Sequence, residues 1–363
     1  MKKISASQLA VSYVGVFLGA GFVSGQELWQ FFACFGSIGL LGFLGTASIF
    51  FYIFYSCFRL IRATDQTGAG KLLTCGNIPW LQAAVDMMLA FFNFGVAVIM
   101  TAGASTLIQQ LTGLPVIVAG IIFTIAVLLV ALVGLQGLVA TFSILVPVTT
   151  ACAVLLGLIV LVQSGFQFAP ATGSVSPMVP NWWAGFITYG AYNIFGTISI
   201  LIPFSRVLPD DKALRRGLGG GSVILIALAW SIIAALVAAP AAGANELPMS
   251  SLAAGLHPAL EVCYGILMGL GMFSCALSCS VGICGQVELR WKKLDQYRKP
   301  FIVVIYASAF FLSLLGFGNL IGVIYPFFGY ASIPLLISLV INWQRVKKAG
   351  KIAEESSAEG LSS

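Results

Sequence analysis

The stretch VGVFLGAGFVSGQE, residues 14–27, puts four glycines, a serine, a glutamine and a glutamate into the first apolar run of the chain. A helix facing lipid gains nothing from that composition. Each glycine costs roughly 1 kcal/mol relative to alanine in an exposed helix interior, and Ser24, Gln26 and Glu27 would carry polar groups to membrane depth. Two readings account for the glycines. Spaced as Gly15/Gly19, Gly21/Gly25 and Ala20/Ser24, they suit close packing of helices through small residues. Alternatively, the helix is interrupted here, which also explains Gln26 and Glu27.

The rest of the chain supplies the setting. It has 363 residues, 59% hydrophobic and only 8% charged, with a mean hydropathy of +1.01, whereas a soluble domain carries about a quarter charged residues. Apolar runs near the ~20 residues needed to cross a bilayer recur along the sequence without the alternation of an outer-membrane barrel. Helices are then the spanning option. Ten spans are expected, at 7–34, 37–61, 81–111, 114–134, 137–164, 181–204, 217–240, 257–286, 299–317 and 319–342. The first run is too long and too polar at its centre for a cleavable signal peptide. If Lys2 and Lys3 lie in the cytoplasm, all 18 Lys and Arg fall on that side, a clean positive-inside pattern. Both termini are therefore expected in the cytoplasm of a bacterial-type inner membrane. The net charge of +6 reads as basic loops beside an anionic leaflet rather than as nucleic-acid binding. The polar stretch after the last span reads as a disordered tail, and the eight cysteines, mostly inside spans, as packing residues.

Spacing suggests an internal duplication. A shift of about 172–175 residues brings Gly21 onto Asn193, Ser24 onto Gly196, Asp86 onto Glu261 and Ser105 onto Ser280. The chain then divides into a first five-helix repeat (1–164), a second (165–342) and a tail (343–363). An odd number of spans per repeat inverts the second half, and such inverted repeats place a solute site where discontinuous helices meet at the midplane. The sixth span, TYGAYNIFGTISILIP (188–203), carries Gly190, Asn193, Gly196 and Thr197 at the matching place. A second break is expected there. Exposed amides at one half-helix start favour an anion such as a carboxylate, and exposed carbonyls favour a cation.

These residues, GAGFVSG in the first span and YNIFG in the sixth within ten spans, resemble the amino acid–polyamine–organocation (APC) superfamily with its LeuT-type fold. GAGFVSGQE followed by FF and a glycine looks most like its uncharacterised bacterial YkvI-type branch. The resemblance covers residues 7–342. It implies a bundle of spans 1, 2, 6 and 7 rocking against spans 3, 4, 8 and 9, with helices 1 and 6 discontinuous around a small solute. It places a substrate carboxylate near Gly19, Ala20 and Gly21, flanked by Ser24, with Tyr189, Asn193 and Gly196 facing the rest of the ligand. In sodium-coupled relatives a cation is held by first-span carbonyls, here Gly15 and Leu18, and by eighth-span hydroxyls, here Ser274 and Ser278. Each of those serines is followed by cysteine rather than by a second hydroxyl, a departure from the pattern. The fifth span also lacks the lysine of some proton-coupled relatives.

Three acids lie inside spans, where a charge costs roughly 2.5–3.5 kcal/mol and points to function. Glu27 is expected to bind a cationic group, gate the site or carry a coupling proton. Asp86 and Glu261, nearer span ends, are candidates for coupling or gating, with helix capping as the plain alternative. His257, before Pro258, suits a helix start. The leading reading is a secondary active transporter of a small amino-acid-like or organic solute, coupled to sodium or protons. A membrane receptor on the same fold, binding a nutrient without net transport, is the second. No GxxxxGK[ST] motif suggests ATP coupling, and no nucleophile–base pair or HExxH suggests an enzyme. No cofactor is expected beyond a possible sodium ion.

Overall fold

In a computed structural model of the chain, residues 5–17, 20–65, 68–133, 138–201, 211–288, 291 and 293–360 are described. Leu18, Gly19 and Gln136 lie outside them. Among the described residues the protein is helical and has no strand. The first span is described as α1 (Ala6–Phe17) and, beyond the undescribed Leu18 and Gly19, as α2 (Ala20–Ser24) and α3 (Gln26–Phe31), followed by a 3-10 turn at Ala33–Phe35. Then come α4 (Ile38–Thr64), the short α5 (Ala69–Leu73), α6 (Pro79–Thr112), α7 (Val116–Val133), α8 (Leu138–Gln163) and α9 (Trp182–Leu201). The second half contains α10 (Asp211–Ala238), α11 (Pro248–Leu256), α12 (Pro258–Glu288), α13 (Leu294–Ser313) and α14 (Phe317–Gly360). The expected spans from the second to the ninth each overlap one of these helices, the first is divided among several, and the tenth runs on to Gly360. Five of these helices are long and apolar enough to cross a membrane on length and composition alone: α4, α6, α10, α12 and Phe317–Ala349 of α14.

Helix ends follow local chemistry. Pro79, Pro248 and Pro258 open α6, α11 and α12, where a missing N–H costs nothing. His257 starts α12 as its sequence position suggests, its Nδ1 accepting the Ala259 N–H at 3.1 Å. Gly113 closes α6 at φ 76°, its N–H bonded to the Gln109 carbonyl, a left-handed stop that glycine adopts without strain.

Packing sorts the helices into two groups. The α1 piece lies along α10, α4 packs on both α9 and α10, and α14 lies along α9. Separately, α6 packs along α12 and α7, and α13 closes against α6 and α7. In span order, the first set joins spans 1, 2, 6 and 7 with span 10, the second joins spans 3, 4, 8 and 9, and contacts of span 10 with span 3 and of span 5 with spans 7 and 8 run between them.

Two expectations are corrected. The sixth span is not broken at Gly190–Thr197, because α9 runs continuously from Trp182 to Leu201. Its polar side chains are satisfied within the helix: Asn193 Nδ2 donates to the Tyr189 carbonyl at 3.0 Å and Thr197 Oγ1 to the Asn193 carbonyl at 2.7 Å. Gly196 serves close approach instead, since a Cβ there would run into the Phe92 ring. Residues 202–210, with Pro203, lie outside the described set. The tail read as disordered continues α14 as far as Gly360, in keeping with its Ala, Glu and Lys content, all good helix formers.

Candidate functional site

The first span is interrupted at Gly25, between α2 and α3. Gly25 has φ 83°, a left-handed conformation that a side chain makes costly, and Met249 packs where its Cβ would stand. The break leaves main-chain groups without helical partners, and the protein supplies substitutes. Ser24 Oγ donates to the Gly21 carbonyl at 3.0 Å and accepts the Gln26 N–H at 3.3 Å. The Val23 carbonyl receives the Tyr264 hydroxyl from α12 at 2.6 Å. On the far side, the Trp29 N–H bonds back to the Gly25 carbonyl at 2.8 Å, and α3 begins.

Glu27, in the first turn of α3, is 5% exposed. Its Oε2 accepts the Tyr192 hydroxyl of α9 at 2.8 Å, and the hydroxyls of Tyr189 and Tyr325 face the same carboxylate. Oε1 lies against Gly21, in the space a Cβ of that residue would occupy. Aromatic rings close the shell: Tyr192 stacks on Tyr325 with centroids 4.5 Å apart and planes 8° from parallel, while Phe31 meets Tyr189 edge-on at 5.3 Å. Among the described residues, the hydrogen-bonding partners of this acid are phenols. Burial of a carboxylate on those terms requires a bound proton or an incoming cation.

The other expected site residues are distributed differently. Ser24 is fully buried and engaged in the break. Ala20 opens α2. Tyr189 joins the acid cluster, whereas Asn193 and Gly196 lie on the unbroken α9. Asp86 accepts the Gly70 N–H at 3.0 Å and so caps the start of α5, where a negative group suits the helix dipole. Glu261 accepts from Gln110 Nε2 at 2.7 Å, tying α12 to the end of α6. Neither reaches Glu27. Of the expected sodium donors, Ser274 is buried, Ser278 is exposed and donates to the Ser274 carbonyl at 3.0 Å, Gly15 sits within α1, and Leu18 is outside the described residues.

Tyr192, Tyr325 and Tyr264 were not singled out from sequence. Their one visible signal is a hydroxyl on an otherwise apolar span. Gln30 was also missed, although Gln26 and Gln30 stand one helical turn apart, on the face of α3 away from the acid cluster. That face lines a cavity of about 720 Å³ at the end of the spans without Lys or Arg, walled by α3, the 172–177 and 240–246 segments and the start of α14.

Together the helix order, the two packing groups and a first span interrupted beside a buried acid define an all-α polytopic membrane protein of LeuT-type fold. Solved structures bear out that class. MhsT in complex with L-phenylalanine superposes with a TM-score of 0.60 at 16% identity, covering 95% of this chain and 89% of that one. Inward-facing Mhp1 superposes with a TM-score of 0.65 at 12% identity, covering 94% and 77%. In sequence the chain is 26% identical over 349 residues to the uncharacterised membrane protein YkvI of Bacillus subtilis (strain 168), covering 93% of this chain and 96% of YkvI. It is 22% identical over 336 residues to the uncharacterised protein YyaD of the same organism, covering 90% and 94%. No protein-family model matches the chain.

Proposed function

We propose that the protein is a secondary active transporter that moves a small organic solute across the cytoplasmic membrane by alternating access, with its basic end and both termini in the cytoplasm. The observation that carries this reading is the interruption at Gly25 with Glu27 folded back over Gly21 and bonded to Tyr192 of the sixth span. A half-helix that ends in membrane depth, carrying an acid shared with the opposite repeat, couples a local proton or ligand event to the relative position of two spans. Glu27 stands where a substrate carboxylate would have met Gly21, which favours a neutral or cationic cargo over an anionic one. The phenolic shell around a buried acid favours protons over sodium as the coupling ion, with Glu27 as the proton carrier.

The test is uptake into proteoliposomes under an imposed proton or sodium gradient, using a panel of amino acids and amines. Accumulation above equilibrium with a proton gradient is expected, and Glu27→Gln should flatten its pH dependence. Binding without accumulation would make the protein a receptor instead. An unchanged pH profile in Glu27→Gln would remove Glu27 from coupling.

A further inference from the structure

Apart from the acid cluster, α12 carries a run of sulfur-bearing side chains. Met268, Met272, Cys275 and Cys279 recur at i, i+4, i+7 and i+11, a spacing that puts all four on one face of the helix. Met268, Met272 and Cys279 are buried, and Cys275 is half-buried. The face meets α6, where a Cβ on Gly103 would stand 3.0 Å from the Met272 methyl. The thiols of Cys275 and Cys279 are hydrogen-bonding neighbours, and neither is in a disulfide. Two further helices enclose them. Tyr306 of α13 donates its hydroxyl to the Ala276 carbonyl at 2.6 Å and neighbours both sulfurs, while Tyr325 of α14 neighbours both the thiols and Glu27. Among the described residues, no third Cys and no His, Asp or Glu joins the pair.

We propose that Cys275 and Cys279 form a binding site for a soft, closed-shell monovalent cation of the Cu(I) class, with the Met272 thioether as an accessory donor. Positions four apart on a helix hold their Cβ atoms about 5–6 Å apart, beyond the ~3.5–4.5 Å of a disulfide, so this pair is not poised to oxidise into one. A single metal atom between the two sulfurs spans that gap. Ligand type selects the ion: thiolate and thioether sulfur favour Cu(I), whereas Mn(II) takes carboxylate and water and Zn(II) closes a structural site with four ligands. Charge points the same way. Binding sends one thiol proton to water and leaves a cation–thiolate pair of zero net charge, with the second thiol and the thioether as neutral donors, so no uncompensated ion enters the apolar interior. A divalent cation must displace both protons to reach the same neutrality and still lacks a fourth ligand. Tyr325 joins this site to the Glu27 cluster. An effect of the metal on uptake rests on the transporter reading; binding does not.

The experiment is a Cu(I) titration of the full chain in nanodiscs against the chromogenic chelator bathocuproine disulfonate, with Zn(II) and Mn(II) run in parallel. The parent protein carries alanine at the more accessible Cys75, Cys152 and Cys263. One Cu(I) per chain is expected to leave the chelator and give the ultraviolet sulfur-to-copper charge-transfer band, with Zn(II) and Mn(II) at least about tenfold weaker. Cys275→Ser, at a half-buried and so more tolerant position, and Cys279→Ala should each weaken Cu(I) by about tenfold or more. Met272→Leu should weaken it by less, and Cys284→Ala, five residues beyond the pair and off the sulfur face, should leave it within about twofold. No Cu(I) transferred, Zn(II) or Mn(II) bound as tightly, or Cu(I) binding indifferent to both thiol variants would overturn the proposal. The first two outcomes are read on the parent protein alone, whatever the variants do to the fold. Cu(I) binding as expected in a protein that accumulates no solute in proteoliposomes would leave this site standing and sink the transporter reading.

Discussion

Glu27 and Gly21 depend on each other. The carboxylate reaches back over the α2 piece because Gly21 offers no side chain, and a Cβ at that position would overlap Oε1, Cδ and Cγ of Glu27. Gly21→Ala therefore cannot be accommodated by a small shift of the far end of a flexible chain; the whole acid must leave its place against Tyr192. Overpacking of a dense interior costs about 1–3 kcal/mol, and here it also dismantles the hydrogen bond that joins the first and sixth spans. We expect Gly21→Ala to lower thermal stability by that amount and to abolish uptake, whereas Gly190→Ala on α9, whose nearest neighbour is a methyl of Ile49 at 3.6 Å, should leave both close to wild type. Unfolding curves and uptake measured side by side on the two variants check this, and a Gly21→Ala protein with normal uptake would separate Glu27 from function. The importance of Gly21 was legible in the sequence as a small residue in a polar-flanked stretch. Its reason was not, since six residues of helix and a left-handed glycine must be folded before Glu27 is seen to double back.

At the level of the element, the interrupted first span is stabilised by groups borrowed from elsewhere. Ser24 belongs to the break itself, but Tyr264 comes from α12, on the opposite packing group, to donate to the Val23 carbonyl. Tyr264→Phe keeps the ring, which is 3% exposed, and removes only the donor. A carbonyl at a helix break then stays buried and unpaired, at a cost of about 1–3 kcal/mol. We expect reduced thermal stability and faster amide hydrogen exchange confined to residues 21–27; exchange unchanged there would mean that Tyr264 is merely packing. This contact also shows where sequence reading stops. The first break could be read because glycines, serine and acid are adjacent in the chain. The same reading misplaced the second break, because Asn193 and Thr197 can bond the carbonyls four residues back and thereby remain helical. Polar residues in a span mark a need for partners, and only the fold shows whether the partner is a ligand or the preceding turn.

Across the whole molecule, the two packing groups set what can move. The α4 and α10 helices are joined at the basic end by Arg59 to Asp211 at 2.9 Å and by Tyr55 to Asp211 at 3.0 Å, and Arg215 lies 5.1 Å over the Tyr55 ring. Exposed ion pairs of this kind contribute about 1 kcal/mol or less each, but they cross-link helices already packed face to face. The α6–α12 pair is held by extensive side-chain packing of buried residues such as Leu107, Met268 and Met272. Interiors packed to this degree move as bodies and shift between discrete arrangements. The short α2 and α3 pieces, hinged at Gly25, run between the groups. Spin labels attached by non-cysteine chemistry at the exposed Tyr52, Val223, Phe91 and Val304 test this directly. The Tyr52–Val223 and Phe91–Val304 distances, each within one group, should give narrow distributions that are the same at acidic and alkaline pH. The Tyr52–Phe91 distance, between groups, should broaden or split and shift by several ångströms, and Glu27→Gln should suppress that pH response by leaving no proton to bind or release at the hinge. If the within-group distances change as much as the between-group distance, the helices rearrange individually and rigid-body alternation is not how this protein works.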